Sequence, residues 1–204
     1  MRRMRIALIS CVCLLTCALL SFAFIRLHSF ILDIKLINAV KQREIARARQ
    51  LLLSGASLEA RDTMAQWRTT NFTPLALAIY KNDMPMVRML LARGANLNST
   101  DNDGRSVPRD IIMNTAVEKA DVDIVRLLLD SGAHVDAHTG MNVTPLMLAA
   151  RDNRVNVVTL LIARGADVRA KDDRGFTPMS FARARSKTDR SRVIRLLLNA
   201  GARQ

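Results

Sequence analysis

His134, Asp136 and His138 alternate within the stretch HVDAH, and on an extended strand all three would project from one side. Two imidazoles and a carboxylate on one side form a conceivable metal-ligand set. The remaining histidine, His28, lies far upstream and offers no further ligand. The three cysteines, Cys11, Cys13 and Cys17, fall within the first 25 residues, and the rest of the chain has no thiol. That distribution excludes a disulfide scaffold and any cysteine-based metal site or nucleophile in the main body of the chain. The sequence has no GxSxG elbow, no phosphate-cradling GxxxxGK[ST] loop and no HExxH pair. Asp101-Asn102-Asp103-Gly104 and Asp172-Asp173-Arg174-Gly175 look like fragments of nucleotide motifs, but they recur along the chain and read as structural turns. No constellation calls for catalysis or a cofactor, so the expected work is binding.

The chain carries 31 Lys and Arg against 18 Asp and Glu, a net charge of +13. Residues 35–49 hold Lys35, Lys41, Arg43, Arg47 and Arg49 against Glu44, a net +4. Residues 50–173 hold 14 basic and 15 acidic side chains, a net −1. Residues 174–204 hold eight basic side chains against Asp189, a net +7. The excess sits at the two ends, whereas a nucleic-acid groove runs a basic stripe along the surface. A nucleic-acid partner is therefore not the expectation. The basic ends leave one electrostatic alternative, peripheral binding of anionic lipid or nucleic acid.

The chain opens MRRMR and then runs from Ile6 to Ile25 without a charge. Twenty such residues match a helix crossing a hydrocarbon core of roughly 30 Å. The leading arginines favour a cytoplasmic N-terminus and an extracytoplasmic, periplasmic body. Arg26, Lys35, Lys41 and Arg43 follow closely and blunt that asymmetry. A cleaved signal competes with the anchor. Ser21 and Ala23 are small where signal peptidase requires it, and cutting after Ala23 would leave a secreted or periplasmic protein. LISC, ending at Cys11, is a loose lipobox with only five apolar residues ahead of it. The expected organisation is residues 1–25 as anchor or signal, 26–33 as linker, and a repeat domain over 34–204.

Self-comparison reveals the repeat. Thr73–Ala78 reads TPLALA, Thr144–Ala149 reads TPLMLA and Thr177–Ala182 reads TPMSFA. Five Gly-Ala pairs, at Gly55, Gly94, Gly132, Gly165 and Gly201, each follow an apolar run. From Thr73 to Gly94 and from Thr144 to Gly165 is 21 residues, and from Gly165 to Thr177 is 12, giving a unit of 33. This pattern resembles the ankyrin repeat family. The resemblance implies an all-α solenoid of five helix-turn-helix units with short β-hairpin turns. The units lie near 34–66, 67–103, 104–141, 142–174 and 175–204. Local chemistry agrees with it: Thr caps the first helix, Pro fits its first position, and Gly ends the second helix.

The departures are specific. No unit keeps the family's His after TPL; Ala76, Met147 and Ser180 stand there. The first unit reads IKLINAV, and the third, SVPRDI, carries its proline one place late. Counted from Ser106, the third unit has five extra residues near Asn114–Asp121; six more lie around Trp67 and three near Arg185–Asp189. The resemblance implies a protein partner, of unknown identity, meeting the turn tips and the exposed side of the first helices of a monomeric array. Transferred to this chain, those positions are Thr70, Phe72, Tyr80 and Lys81, then Asp103, Arg105, Met113 and Asn114; Trp67, the single tryptophan, joins them because tryptophan is enriched at binding hot spots, its alternative being to fold back over the first unit. Met141, Val143, Arg151 and Asp152 follow in the fourth unit, and Arg174, Phe176 and Arg185 in the fifth. In this family Asp136 falls where Asn or Asp commonly builds the hairpin, which favours a solvated turn over the metal. A 25-to-6 excess of Arg over Lys and the simple anchor point to a bacterial envelope adaptor or immunity-like binder.

Overall fold

The computed structural model describes residues 23–62, 72–97, 100–101, 109–119, 121–138, 141–184 and 191–202. Among them α1 spans 23–41. It is followed by α2 (Ile45–Leu53), α3 (Pro74–Tyr80), α4 (Met84–Leu91), α5 (Ile111–Lys119) and α6 (Val122–Asp130). The array ends with α7 (Pro145–Arg151), α8 (Val155–Ala163), α9 (Pro178–Arg183) and α10 (Ser191–Asn199). A two-residue antiparallel pair, β1 (Thr100–Asp101) and β2 (Arg109–Asp110), precedes α5, with Thr100 opposite Asp110 and Asp101 opposite Arg109.

Helices α3, α5, α7 and α9 pack side by side as an inner row, each against the outer helix of its own unit. The outer row joins α2 to α4, α6 to α8 and α8 to α10. Between α4 and α6 it opens into a groove of about 500 Å³ lined by Arg88, Leu91, Leu97 and Leu127 among others.

Each inner helix that begins with Thr-Pro starts the same way. The hydroxyl oxygens of Thr73, Thr144 and Thr177 accept from the amides of Ala76, Met147 and Ser180 at 3.2, 3.4 and 3.3 Å. In the last two the residue at the absent histidine's place reciprocates. Thr144 N–H donates to the Met147 sulfur, and Thr177 N–H to the Ser180 hydroxyl. The outer helices end the same way too. At Gly94 and Gly165 the backbone turns left-handed, with φ of 82° and 84°, where a side chain would be strained. The following alanine amide then reaches back five residues, Ala95 to Leu90 and Ala166 to Leu161, at 3.1 and 3.0 Å.

The core is columnar. Leu36, Leu75, Met113, Leu146 and Met179 occupy one place in the five inner helices, and Ala39, Ala78, Ala116, Ala149 and Ala182 another. Every one of these ten side chains is buried, the five alanines completely. Outer helices answer with Val87, Val125 and Val158 and with Leu90, Leu128, Leu161 and Leu197, all at 0% exposure.

Two expectations change. The third inner helix does not begin after Ser106 but at Ile111, so the extra residues precede the helix instead of extending it. Counting 21 back from Gly132 gives Ile111, which restores Met113 and Ala116 to their columns. Residues 26–33, read as a linker, are helical and continuous with the first unit. Leu32 is already buried in the core. Residues 1–22, most of the uncharged segment, lie outside the described residues. Among the described residues no helix is long and apolar enough to cross a membrane.

Replacing Leu128 or Leu161 with alanine is expected to cost about 2–5 kcal/mol, because each fills a seam between neighbouring units. Thermal unfolding measures it, and an unchanged melting temperature in both variants would refute the column register.

Candidate partner-binding surface

The last turns of the first four inner helices each supply one side chain to a common stripe: Lys41, Tyr80, Glu118 and Arg151. Each is tied to a neighbour. Lys41 Nζ lies 2.9 Å from the buried Asp62 carboxylate. Tyr80 meets Phe72 edge-on, with ring centroids 5.9 Å apart at 74°. Arg151 spans units, donating to Glu118 at 2.9 Å and to the adjacent Asp152 at 2.9 Å. The Asp152 hydrogen bond, then Glu118, hold the Arg151 guanidinium above its ordinary pKa against the opposing effect of burial. Arg154 donates to the carbonyls of Ala116 and Val117 at the end of α5. Burial pulls its pKa down, against the attraction of Asp121 and Asp152.

Further ties cross units at the turns between helices. Arg43 donates to the Lys81 carbonyl at 2.6 Å, and Asn82 exchanges two hydrogen bonds with Asp121 at 2.6 and 2.8 Å. Asn82 and Asn153 sit at φ of 55° and 57°, a left-handed conformation that asparagine tolerates.

The opposite edge, at the turn tips, is different in character. Asp172, buried, accepts from the amides of Arg174 and Phe176 at 3.0 and 2.8 Å and so shapes the fifth tip. Asp173 N–H donates to the Met141 carbonyl at 3.1 Å, and the Asn142 amide donates to the Asp173 carboxylate at 2.6 Å. These bonds join the tips of the fourth and fifth units into one edge. On it Met141 is 54% exposed and Phe176 47%, with the Arg174 guanidinium 5.2 Å above the Phe176 ring. An apolar pair beside an aromatic-stacked cation suits a partner with apolar and acidic groups.

The residues transferred from the resemblance therefore divide. Met141, Arg174, Phe176 and Asp152 are exposed. Phe72, Tyr80, Lys81, Asn114 and Arg151 are half-buried. Met113 and Val143 must be withdrawn. Met113 (0% exposed) belongs to the core column, and Val143 (6%) packs beneath its tip. Trp67, Thr70, Asp103, Arg105 and Arg185 lie outside the described residues. Glu118 was missed because the third unit was counted from Ser106; counted from Gly132 it falls at the place of Tyr80 and Arg151. Asp136 accepts from the Asp167 amide at 3.1 Å, a tie between successive units.

A family model for ankyrin repeats (three copies) matches residues 36–139 and 112–204. "Ankyrin repeat, SAM and basic leucine zipper domain-containing protein 1" of Carollia perspicillata is 32% identical over 115 residues, covering 56% of this chain and 23% of that protein. "Ankyrin repeat and SOCS box protein 6" of Mus musculus is 33% identical over 102 residues, covering 50% and 22%. The "B-cell lymphoma 3 protein homolog" of Mus musculus is 34% identical over 105 residues, covering 52% and 21%. The chain thus spans less than a quarter of each of these relatives.

The Arg151–Glu118 pair is about one-third exposed on both sides, so its coupling should be modest. A double-mutant cycle with Arg151→Ala and Glu118→Ala is expected to give roughly 0.2–1 kcal/mol by chemical denaturation. Strict additivity would mean the bridge does not couple the third and fourth units.

Proposed function

Because the chain belongs to the ankyrin-repeat family, we propose that it is a membrane-tethered recognition module that holds one protein partner on the tips of its fourth and fifth units. Ankyrin repeats mark a protein–protein interaction module, and family membership gives no ground for an enzymatic activity. The tether is Ile6–Ile25, the repeats stand on the extracytoplasmic side, and the role is that of an adaptor or immunity-like protein in a bacterial envelope. The single observation carrying the choice of surface is the exposed edge of Met141, Arg174 and Phe176, held by a hydrogen-bonded frame beneath it. The electrostatic alternative rests on the exposed Arg183, Arg192 and Arg195 of the last unit.

Once a partner is isolated from native membranes, titration separates the readings. Met141→Ala with Phe176→Ala should leave the melting temperature near that of the parent and weaken binding by at least about 2 kcal/mol, the scale of a hot spot. Binding that survives this change but disappears when Arg183, Arg192 and Arg195 are neutralised moves the site to the basic end. In that case affinity should also fall steeply with salt.

Topology has its own measurement. A reporter fused after Gln204 should be active only outside the cytoplasm, and intact mass should retain the first 23 residues. A mature chain starting at Phe24 would replace the tether with secretion.

A further inference from the structure

Helix α1 changes character along its length. Residues 23–31 are exposed on nearly every side, and from Leu32 onward the helix is part of the core. Its exposed part is not polar. Phe24 (71%), Ile25 (65%), Leu27 (58%), Phe30 (52%) and Ile31 (40%) include five of the nine large hydrophobic residues exposed in the described chain. At 100° per residue their directions span more than half of the helix circumference, with His28 inside that arc and only Arg26 and Ser29 on the remainder. His28 stacks on Phe24, with ring centroids 6.4 Å apart. A projecting helix of this composition is poorly suited to water, and a contiguous exposed apolar surface marks an interaction site.

What covers it follows from what precedes it. The uncharged segment Ile6–Ile25 feeds directly into this helix. If that segment fills the hydrocarbon core, residues 26–31 advance about 9 Å along the helix axis. The polar interfacial layer on one side of a bilayer is roughly 5–8 Å thick. Leu32, the first residue buried in the repeat core, then lies where the headgroups end. No length is left for a flexible linker. The charges fit as well: Arg26 falls within the interfacial stretch, and Lys35, exposed, follows one turn after Ile31. Cations here are placed to meet anionic headgroups.

We propose that α1 is a continuous stem whose residues 24–31 are seated in the membrane interface, so that the first repeat rests against an anionic lipid surface in one fixed attitude. This rests on the tether reading and goes beyond it, because a tether alone permits a loose, water-exposed connection. The stem also places the recognition edge of the fourth and fifth units at a set distance from the bilayer.

The test uses the full chain with Cys11, Cys13 and Cys17 replaced by serine. A single cysteine is introduced by Leu27→Cys, Phe30→Cys, Ile31→Cys or, as a control on the exposed face of α8, Thr159→Cys, and is labelled with a polarity-sensitive fluorophore. The labelled proteins are reconstituted in phosphatidylcholine–phosphatidylglycerol vesicles with brominated acyl chains. Quenching at the three stem positions is expected to exceed that at Thr159→Cys by at least about fivefold, as an interfacial depth requires. Energy transfer from Thr159→Cys to a headgroup acceptor should report one distance. Inserting Gly-Ser-Gly-Ser after Ile31 should broaden it.

Membrane-embedded protein whose stem labels are unquenched would overturn the stem and leave the tether standing. Disulfide cross-linking between copies through Phe30→Cys, with no quenching, would overturn it in favour of a second copy of this chain. A chain beginning at Phe24 would remove tether and stem together. Transfer unaffected by the insertion would refute the fixed attitude.

Discussion

Ala39, Ala78, Ala116, Ala149 and Ala182 occupy the same place in five successive inner helices, and none exposes any surface. A methyl group at this place takes little room between neighbouring inner helices, and the flanking Leu36, Leu75, Met113, Leu146 and Met179 are buried in the same seam. Much of the rest depends on that spacing. It brings the last turns of adjacent inner helices near enough for Arg151 to reach Glu118, and the turns between helices near enough for Asn82 to bond Asp121. It also sets the tips of the fourth and fifth units side by side, so that Asp173 can bond Met141 and Asn142. Larger residues in the alanine column would overpack the seam.

Stacking of this kind needs helices that start and stop on cue, since the inner helices α3, α5, α7 and α9 have only six to nine residues. Helices so short are marginal on their own. Thr-Pro starts and Gly-Ala endings supply the missing local order. The reciprocal bonds of Met147 and Ser180 to the Thr144 and Thr177 amides keep a capping function at the place where the family's histidine has been lost. Ala76 cannot do this, and the second unit instead has the Phe72–Tyr80 ring contact bracing the two ends of its inner helix.

Most of this architecture was legible because its signals are local and periodic. Thr-Pro, Gly-Ala and the spacing between them can be read from three well-kept units. The third unit misled because Ser106-Val107-Pro108 imitates a Thr-Pro start ahead of the helix, while Ile111, the counterpart of Thr73 and Thr144, has no side-chain oxygen to announce the start. Met113 was consequently taken for a surface residue, and Glu118, its unit's contribution to the inner stripe, was overlooked. Val143 precedes a threonine just as Phe176 does, yet one is buried and the other exposed. Nothing in the spacing of residues carries that information.

The same logic separates structural duty from recognition. Lys41, Tyr80, Glu118 and Arg151 form a stripe on the inner helices, and every member is engaged within the array. A ligand taking hold of Arg151 would have to displace Glu118 and Asp152 and loosen the seam between two units. Met141 and Phe176 stand on the tips of the fourth and fifth units. Their side chains are largely exposed, while the backbone beneath them is held by Asp172, Asp173 and Asn142. An edge whose backbone is already ordered loses less conformational freedom on binding, so more of its contact energy remains as affinity. The buried carboxylate of Asp172 fixes the turn from which Arg174 and Phe176 project, and on the proposed reading it would serve recognition without touching a partner.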